Sequence, residues 1–289
     1  MAKPQGQLVK VDGQNMHIRQ MGSGEKTIVL LPGFAVPLPT VEFAPLMREL
    51  SKKNTVCTIE FFGYGHSDGT DVPRTNENYV KEIREALTFA RLIPPYVLMP
   101  YSASGVYCEY YASKYPEEIA GLILLDSTPT VEDFASTFIL TNEEIDEMKS
   151  ALESVKVSKE EIENDEEGVA ELMRHGYTKE EIIETLIMPN HVDTLIAQWV
   201  ALTENILEAM TMPISKEIPI LALTSDIREL LEGNELDKHE KYLNGHIDRL
   251  GEHTKYVMIK GSTHSDIYYH RDYCKVISKE VDEFLGCAE

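Results

Sequence analysis

The feature that most constrains this chain is an alternation. Short apolar runs at 27–31, 55–61, 96–99, 121–125, 218–223 and 255–259 are separated by longer stretches with apolar residues at helical spacing. Runs this short, without strict apolar–polar alternation, suit strands buried on both faces. The stretches 41–52, 76–92, 104–115, 229–250 and 272–284 read as helices. Strand–helix alternation predicts an α/β fold with a doubly wound, mostly parallel sheet flanked by helices. Ahead of it, 8–24 reads as two strands joined by a turn at Val11-Asp12-Gly13-Gln14.

One segment breaks the pattern. Between 127 and 217 there is no strand candidate, but three capping-box signatures occur: Thr141-Asn-Glu-Glu144, Ser158-Lys-Glu-Glu161 and Thr178-Lys-Glu-Glu181. A further helix is expected over about 191–210, bounded by Pro189 and Pro213. The expected organisation is a core of 1–126 and 218–289 carrying an all-helical lid, 127–217, between two of its strands. Charge marks the same boundary. The 289 residues hold 27 Lys or Arg and 49 Asp or Glu, a net charge of −22. The inserted segment alone holds 6 and 21, a net of −15, so the core is only mildly acidic.

A surface of that sign repels nucleic-acid phosphates and anionic lipid headgroups, and neither is expected as a partner. No apolar run approaches the ~20 residues that span a bilayer, and residues 1–7 lack the apolar region of a signal peptide. A cytoplasmic protein is the expectation, a leader or anchor lost ahead of Met1 being the other reading. Cys57, Cys108, Cys274 and Cys287 show no metal-ligand spacing, and Cys57 and Cys108 read as reduced core residues. The nine histidines include no HExxH, there is no P-loop, and Gly63-Tyr-Gly65 lacks the third glycine of a dinucleotide fingerprint. No metal or organic cofactor is expected. The sequence leaves the oligomeric state open.

The chemistry concentrates at strand ends. Tyr96-Val-Leu-Met-Pro-Tyr-Ser-Ala-Ser-Gly105 reads as strand, tight turn and helix, the setting of a nucleophile elbow. Such a turn needs compact neighbours two residues before and after the exposed side chain. Ser102 has Pro100 and Ser104 there, whereas Ser104 would face the branched Val106, so Ser102 is the candidate nucleophile. Leu30-Leu-Pro-Gly-Phe34 follows an early strand. The Phe34 and Ala103 N–H groups are the candidate oxyanion hole, the second at a helix N-terminus. His264 closes Tyr256-Val-Met-Ile-Lys-Gly-Ser-Thr-His264 just after a strand and is the candidate base, with His270 as alternate. Asp226, ending 218–226, is the favoured partner for its imidazole, and Asp126, ending 121–126, is the competing acid. Phe62-Gly-Tyr-Gly-His-Ser-Asp68 reads as a structural loop, with His66 a loop residue. Phe34, Tyr101 and the helix carrying Trp199 are candidate pocket elements, with Trp199 itself read as packing between lid and core.

With Ser, Asp and His in that order, and Pro-Gly and Gly-Tyr-Gly-His-Ser loops upstream, the chain resembles the α/β-hydrolase superfamily. More narrowly, it is similar to bacterial lidded hydrolases whose elbow reads Pro-x-Ser-x-Ser-Gly. The resemblance covers nearly all of the chain outside the lid. It implies a nucleophile at Ser102, an acid at Asp226, a base at His264 and oxyanion donors at Phe34 and Ala103. Pro100 and Ser104 depart from the usual elbow glycines, and Glu60 stands where Asp is commoner. The implied activity is cofactor-independent hydrolysis of a small carboxylic ester or related acyl substrate through an acyl-enzyme. A serine at the elbow argues against haloalkane or epoxide opening, which in this superfamily use a carboxylate. Two alternatives stand: an aminopeptidase of the proline-iminopeptidase kind, using lid carboxylates to hold an ammonium, and a ligand-binding protein that kept the fold without turnover.

Overall fold

The computed structural model describes residues 5–154, 157–189 and 191–287; residues 1–4, on which part of the reading of the N-terminus rests, lie outside it. Strands β1 (Gln7–Val11) and β2 (Gln14–Met21) form a hairpin, with positive φ at Asp12 and Gly13 supplying its tight turn. Then follow β3 (Thr27–Leu31), α1 (Pro39–Glu42), α2 (Ala44–Leu50), β4 (Thr55–Glu60), α3 (Asn76–Phe89), β5 (Tyr96–Pro100), α4 (Ser104–Lys114) and β6 (Ile119–Leu125). After β6 come α5 (Glu132–Ala135), α6 (Asn142–Ser154), α7 (Lys159–Asn164), α8 (Glu166–Arg174), α9 (Lys179–Leu186) and α10 (Val192–Thr211). The chain returns to the sheet with β7 (Ile220–Ser225), α11 (Asn234–Leu250), β8 (Thr254–Ile259) and α12 (Arg271–Leu285).

The strands make one eight-stranded sheet in the order β1-β2-β4-β3-β5-β6-β7-β8. Only β2 is reversed, pairing antiparallel with both β1 and β4; from β4 across to β8 every pairing is parallel. The central strands are buried almost throughout, which is why they read as continuous apolar runs. Because β3 lies between β4 and β5, the chain leaves it first to one side and later to the other. Their carboxyl ends therefore flank a crevice, the place where doubly wound sheets build sites.

Two helical stretches are divided where local chemistry demands it. The 41–52 stretch is two helices, because Pro45 in the first turn of α2 has no N–H to continue a preceding helix. The 229–250 stretch begins as helix only at Asn234, after Gly233 at φ 53°. Between β6 and β7 the described residues contain no strand. The Ser158 and Thr178 capping boxes are both closed, and Thr141 and Glu144 exchange the same pair of bonds ahead of α6. Helix α10 rests on the core through buried polar side chains. Asn205 accepts from the Asn76 backbone N–H at 3.0 Å and donates to the Arg74 carbonyl at 2.8 Å. Gln198 donates to the Tyr107 hydroxyl at 3.2 Å, and Thr194 accepts from the Thr70 N–H at 3.1 Å. Among the described residues no helix is long and apolar enough to cross a membrane.

Candidate active site

Ser102 sits between β5 and α4 with φ 53°, a left-handed conformation that a serine adopts only when its surroundings impose it. Those surroundings are hydrogen bonds on both sides. The Ser102 N–H donates to the Leu125 carbonyl at 3.2 Å, and the Ser102 carbonyl accepts from Gly105 and Thr128 at 3.0 and 3.1 Å. Both departures from the elbow glycines have structural explanations. The buried Ser104 hydroxyl donates to the Tyr101 and Leu31 carbonyls at 2.9 and 3.0 Å, tying the turn to β3. Pro100 falls where the ladder to β6 is already interrupted, between the Leu98↔Leu122 pair and the Tyr101↔Leu125 bridge. Gly33 is required by close approach, since a Cβ there would lie 2.7 Å from the Ser102 Cβ.

The Ser102 Oγ is 3.1 Å from His264 Nε2, and His264 Nδ1 is 2.6 Å from Asp126 Oδ2. Asp126 is thus the carboxylate on the imidazole, which corrects the expectation of Asp226. The reason is where β7 ends beside β6. The last residue of β7, Ser225, turns its side chain toward Asp126 and donates to it from both N–H and Oγ, at 2.8 and 2.9 Å. Asp226, one residue on, accepts instead from the Gly261 N–H at 3.4 Å. Burial alone would raise the Asp126 carboxyl, but the bonds from His264 and Ser225 outweigh it and hold Asp126 below its ordinary value. The imidazole is fixed from its other face as well. The Tyr101 ring stacks on His264 at 4.9 Å, and its hydroxyl donates to the His264 carbonyl at 2.6 Å.

Phe34 follows β3 and Ala103 follows Ser102, so the two candidate oxyanion donors flank the elbow. Neither N–H donates to an acceptor among the described residues. His270 immediately precedes α12 and packs on His175 and Tyr273, apart from this cluster. His66 contacts Glu60 and Glu184. Ser102, Asp126 and His264 open into a cavity of about 460 Å³. Trp199 of α10 packs edge-on against Phe34 at 4.6 Å and Phe138 at 5.2 Å, and Phe134 continues the aromatic wall to Tyr242. Trp199 therefore bridges insertion and core, as read from sequence, and lines the cavity as well. Phe134, Phe138 and Tyr242 carried no sequence signal for this wall, because their contacts join residues far apart in the chain. The one convergent group of His, Cys, Asp or Glu donors among the described residues, His17, Glu60 and His66, shares no residue with this cavity.

No family model matches the chain. It is 36% identical over 126 residues to the uncharacterized protein YbdG of Bacillus subtilis (strain 168), covering 44% of this chain and 39% of that one. It is 28% identical over 128 residues to the serine hydrolase BPHL of Homo sapiens, covering 43% and 44%. The chain thus spans less than half the length of both curated relatives. In fold the likeness runs over nearly the whole length. The solved structure of an E-2-(acetamidomethylene)succinate hydrolase superposes with a TM-score of 0.68 at 18% identity, covering 98% of this chain and 99% of that one. With the eight-stranded order above, that likeness makes this the α/β-hydrolase fold.

Proposed function

We propose that the chain is a serine hydrolase acting on small, uncharged carboxylic esters or related acyl compounds, with the segment between β6 and β7 as a lid over the site. The observation that carries this reading is the continuous hydrogen-bonded line from Asp126 through His264 to Ser102 at the floor of an aromatic cavity. In the proposed reaction His264 Nε2 takes the Ser102 proton as Oγ attacks the acyl carbon, and Asp126 holds the opposite nitrogen in its N–H form. The Phe34 and Ala103 N–H groups receive the developing oxyanion. Collapse expels the alcohol with the proton from His264, and water repeats the sequence on the acyl-enzyme.

The aminopeptidase alternative needs a carboxylate for the substrate ammonium. Among the described residues lining the cavity the only one is Asp126, already bonded to His264 and Ser225. The acidic residues of the inserted segment lie mostly on exposed helix faces. The test is labelling with a fluorophosphonate, followed by hydrolysis of short p-nitrophenyl esters and of a proline arylamide. Wild type should label and prefer the esters, and Ser102→Ala should lose the label and about 10³-fold or more of kcat/KM. An unlabelled wild type sinks the hydrolase reading, preference for the arylamide replaces it by the peptidase, and a label that survives Ser102→Ala moves the nucleophile elsewhere.

A further inference from the structure

Strand β2 and the turn after β4 bring together three donors that the hydrolytic reading leaves unused. His17 lies within β2, directly paired with Glu60 at the end of β4 in the antiparallel ladder. Gly63 and Gly65, both at positive φ, fold the following turn back until the His66 N–H reaches Glu60 Oε2 at 2.6 Å. That same oxygen is 3.1 Å from His17 Nδ1 and 3.4 Å from His66 Nδ1. The three donor atoms all lie within 4.8 Å of one another. A tetrahedral ion with bonds of about 2.0–2.1 Å wants its ligand atoms about 3.3 Å apart.

Two further observations point to an ion and not to a simple ion pair. His17 is 1% exposed, yet among the described residues neither of its ring nitrogens makes an aligned hydrogen bond, and His66 Nδ1 makes none either despite the nearby carboxylate. Native interiors seldom leave such groups unpaired without a reason. The surroundings also match those of metal ligands. Glu60 Oε1 accepts from the Thr40 hydroxyl. His66 Nε2 lies 3.3 Å from Glu184 Oε1 on α9, so its proton can sit on that nitrogen and leave the Nδ1 lone pair for the ion.

We propose that His17, Glu60 and His66 bind one divalent first-row transition ion, of which zinc is the type. Two imidazoles with one carboxylate suit such an ion, whereas magnesium and calcium take oxygen ligands. The site shares no residue with the Ser102 cavity, and its role is structural. It clamps β2 to β4 and, through Glu184, connects that edge to the inserted helices.

The test uses the full chain, freed of metal by dialysis against a chelator and titrated calorimetrically with ZnCl₂ or MgCl₂, with thermal unfolding read alongside. Wild type and Ser102→Ala should bind one zinc per chain and melt at a temperature that rises with zinc concentration. His17→Gln and His66→Gln should each lose at least tenfold in zinc affinity; His66, in a partly exposed turn, keeps the test readable if His17→Gln does not fold. His175→Gln removes one of the neighbouring His175–His270 pair, whose rings lie 4.3 Å apart, and should bind as wild type does. The proposal is overturned by wild type that takes up no stoichiometric zinc, by full affinity in His66→Gln, by loss in His175→Gln, or by an equal response to magnesium. None of these readouts uses hydrolysis, so failure here and failure of the serine-hydrolase reading are separate results.

Discussion

Asp126 and Asp226 each follow the last residue of a strand, both are acidic, and one hundred positions of chain separate them; what divides them is what each meets there, His264 and Ser225 for Asp126 and the Gly261 N–H for Asp226. Asp126→Asn should lower kcat by about 10³- to 10⁴-fold, because the imidazole loses the acceptor that keeps it in the correct tautomer. Asp226→Asn should stay within a few-fold of wild type, and steady-state ester hydrolysis by the two variants compares them directly. Glu42 of α1 gives a second residue-scale prediction. Burial, the leading cause, pushes its carboxyl up to about 7, against the bonds it accepts from the Leu38 N–H and the Tyr268 hydroxyl. A carboxyl whose value is raised by folding holds its proton more tightly in the native state. Its contribution is therefore present below the unfolded value near 4.5 and is lost as pH rises towards 7. Glu42→Gln should flatten that part of the stability–pH curve and be more stable than wild type at pH 8 by about 1–2 kcal/mol, read from denaturant unfolding at both pH values.

At the scale of elements, the elbow shows how far local patterning carries. Strand, turn and helix were legible around Ser102, and so were the capping boxes of the inserted segment, because each rests on residues three or four apart. Ser104 was legible as the lesser nucleophile candidate and as a missing glycine. Its hydroxyl bond to the Tyr101 carbonyl is local, but the one to Leu31 depends on β3 lying alongside β5, a pairing that the local sequence does not record. Helix α10 is the counterpart, since the stretch between Pro189 and Pro213 predicted a helix but not the buried Thr194, Gln198 and Asn205 that attach it to the core. Asn205→Ala would leave the Asn76 N–H and the Arg74 carbonyl buried without this partner. The expected cost is about 2–3 kcal/mol by denaturant unfolding, and the loosened α10 should raise KM for esters more than it lowers kcat.

At the scale of the molecule, the net charge of −22 bears on stability more than on substrate. Most of the acidic side chains of the inserted segment face solvent, where they repel one another and are screened within about 8 Å at physiological ionic strength. Added NaCl should therefore raise the melting temperature, while kcat/KM for an uncharged ester changes by less than about twofold. A steep fall of kcat/KM with salt would instead reveal a cationic substrate drawn in by the acidic segment between β6 and β7.

The sequence by itself determined the alternation of buried strands and helices, the helical insertion with its charge, and the serine and histidine that the structure brings together. All of these are written in short-range patterns: apolar runs, helical spacing, capping residues and turns at strand ends. Only the tertiary structure decided which carboxylate meets His264, which aromatic rings wall the cavity, and that His17, Glu60 and His66 converge. Those outcomes depend on strand order, register and the face on which each side chain emerges. A chain position states none of the three until the sheet has closed around it.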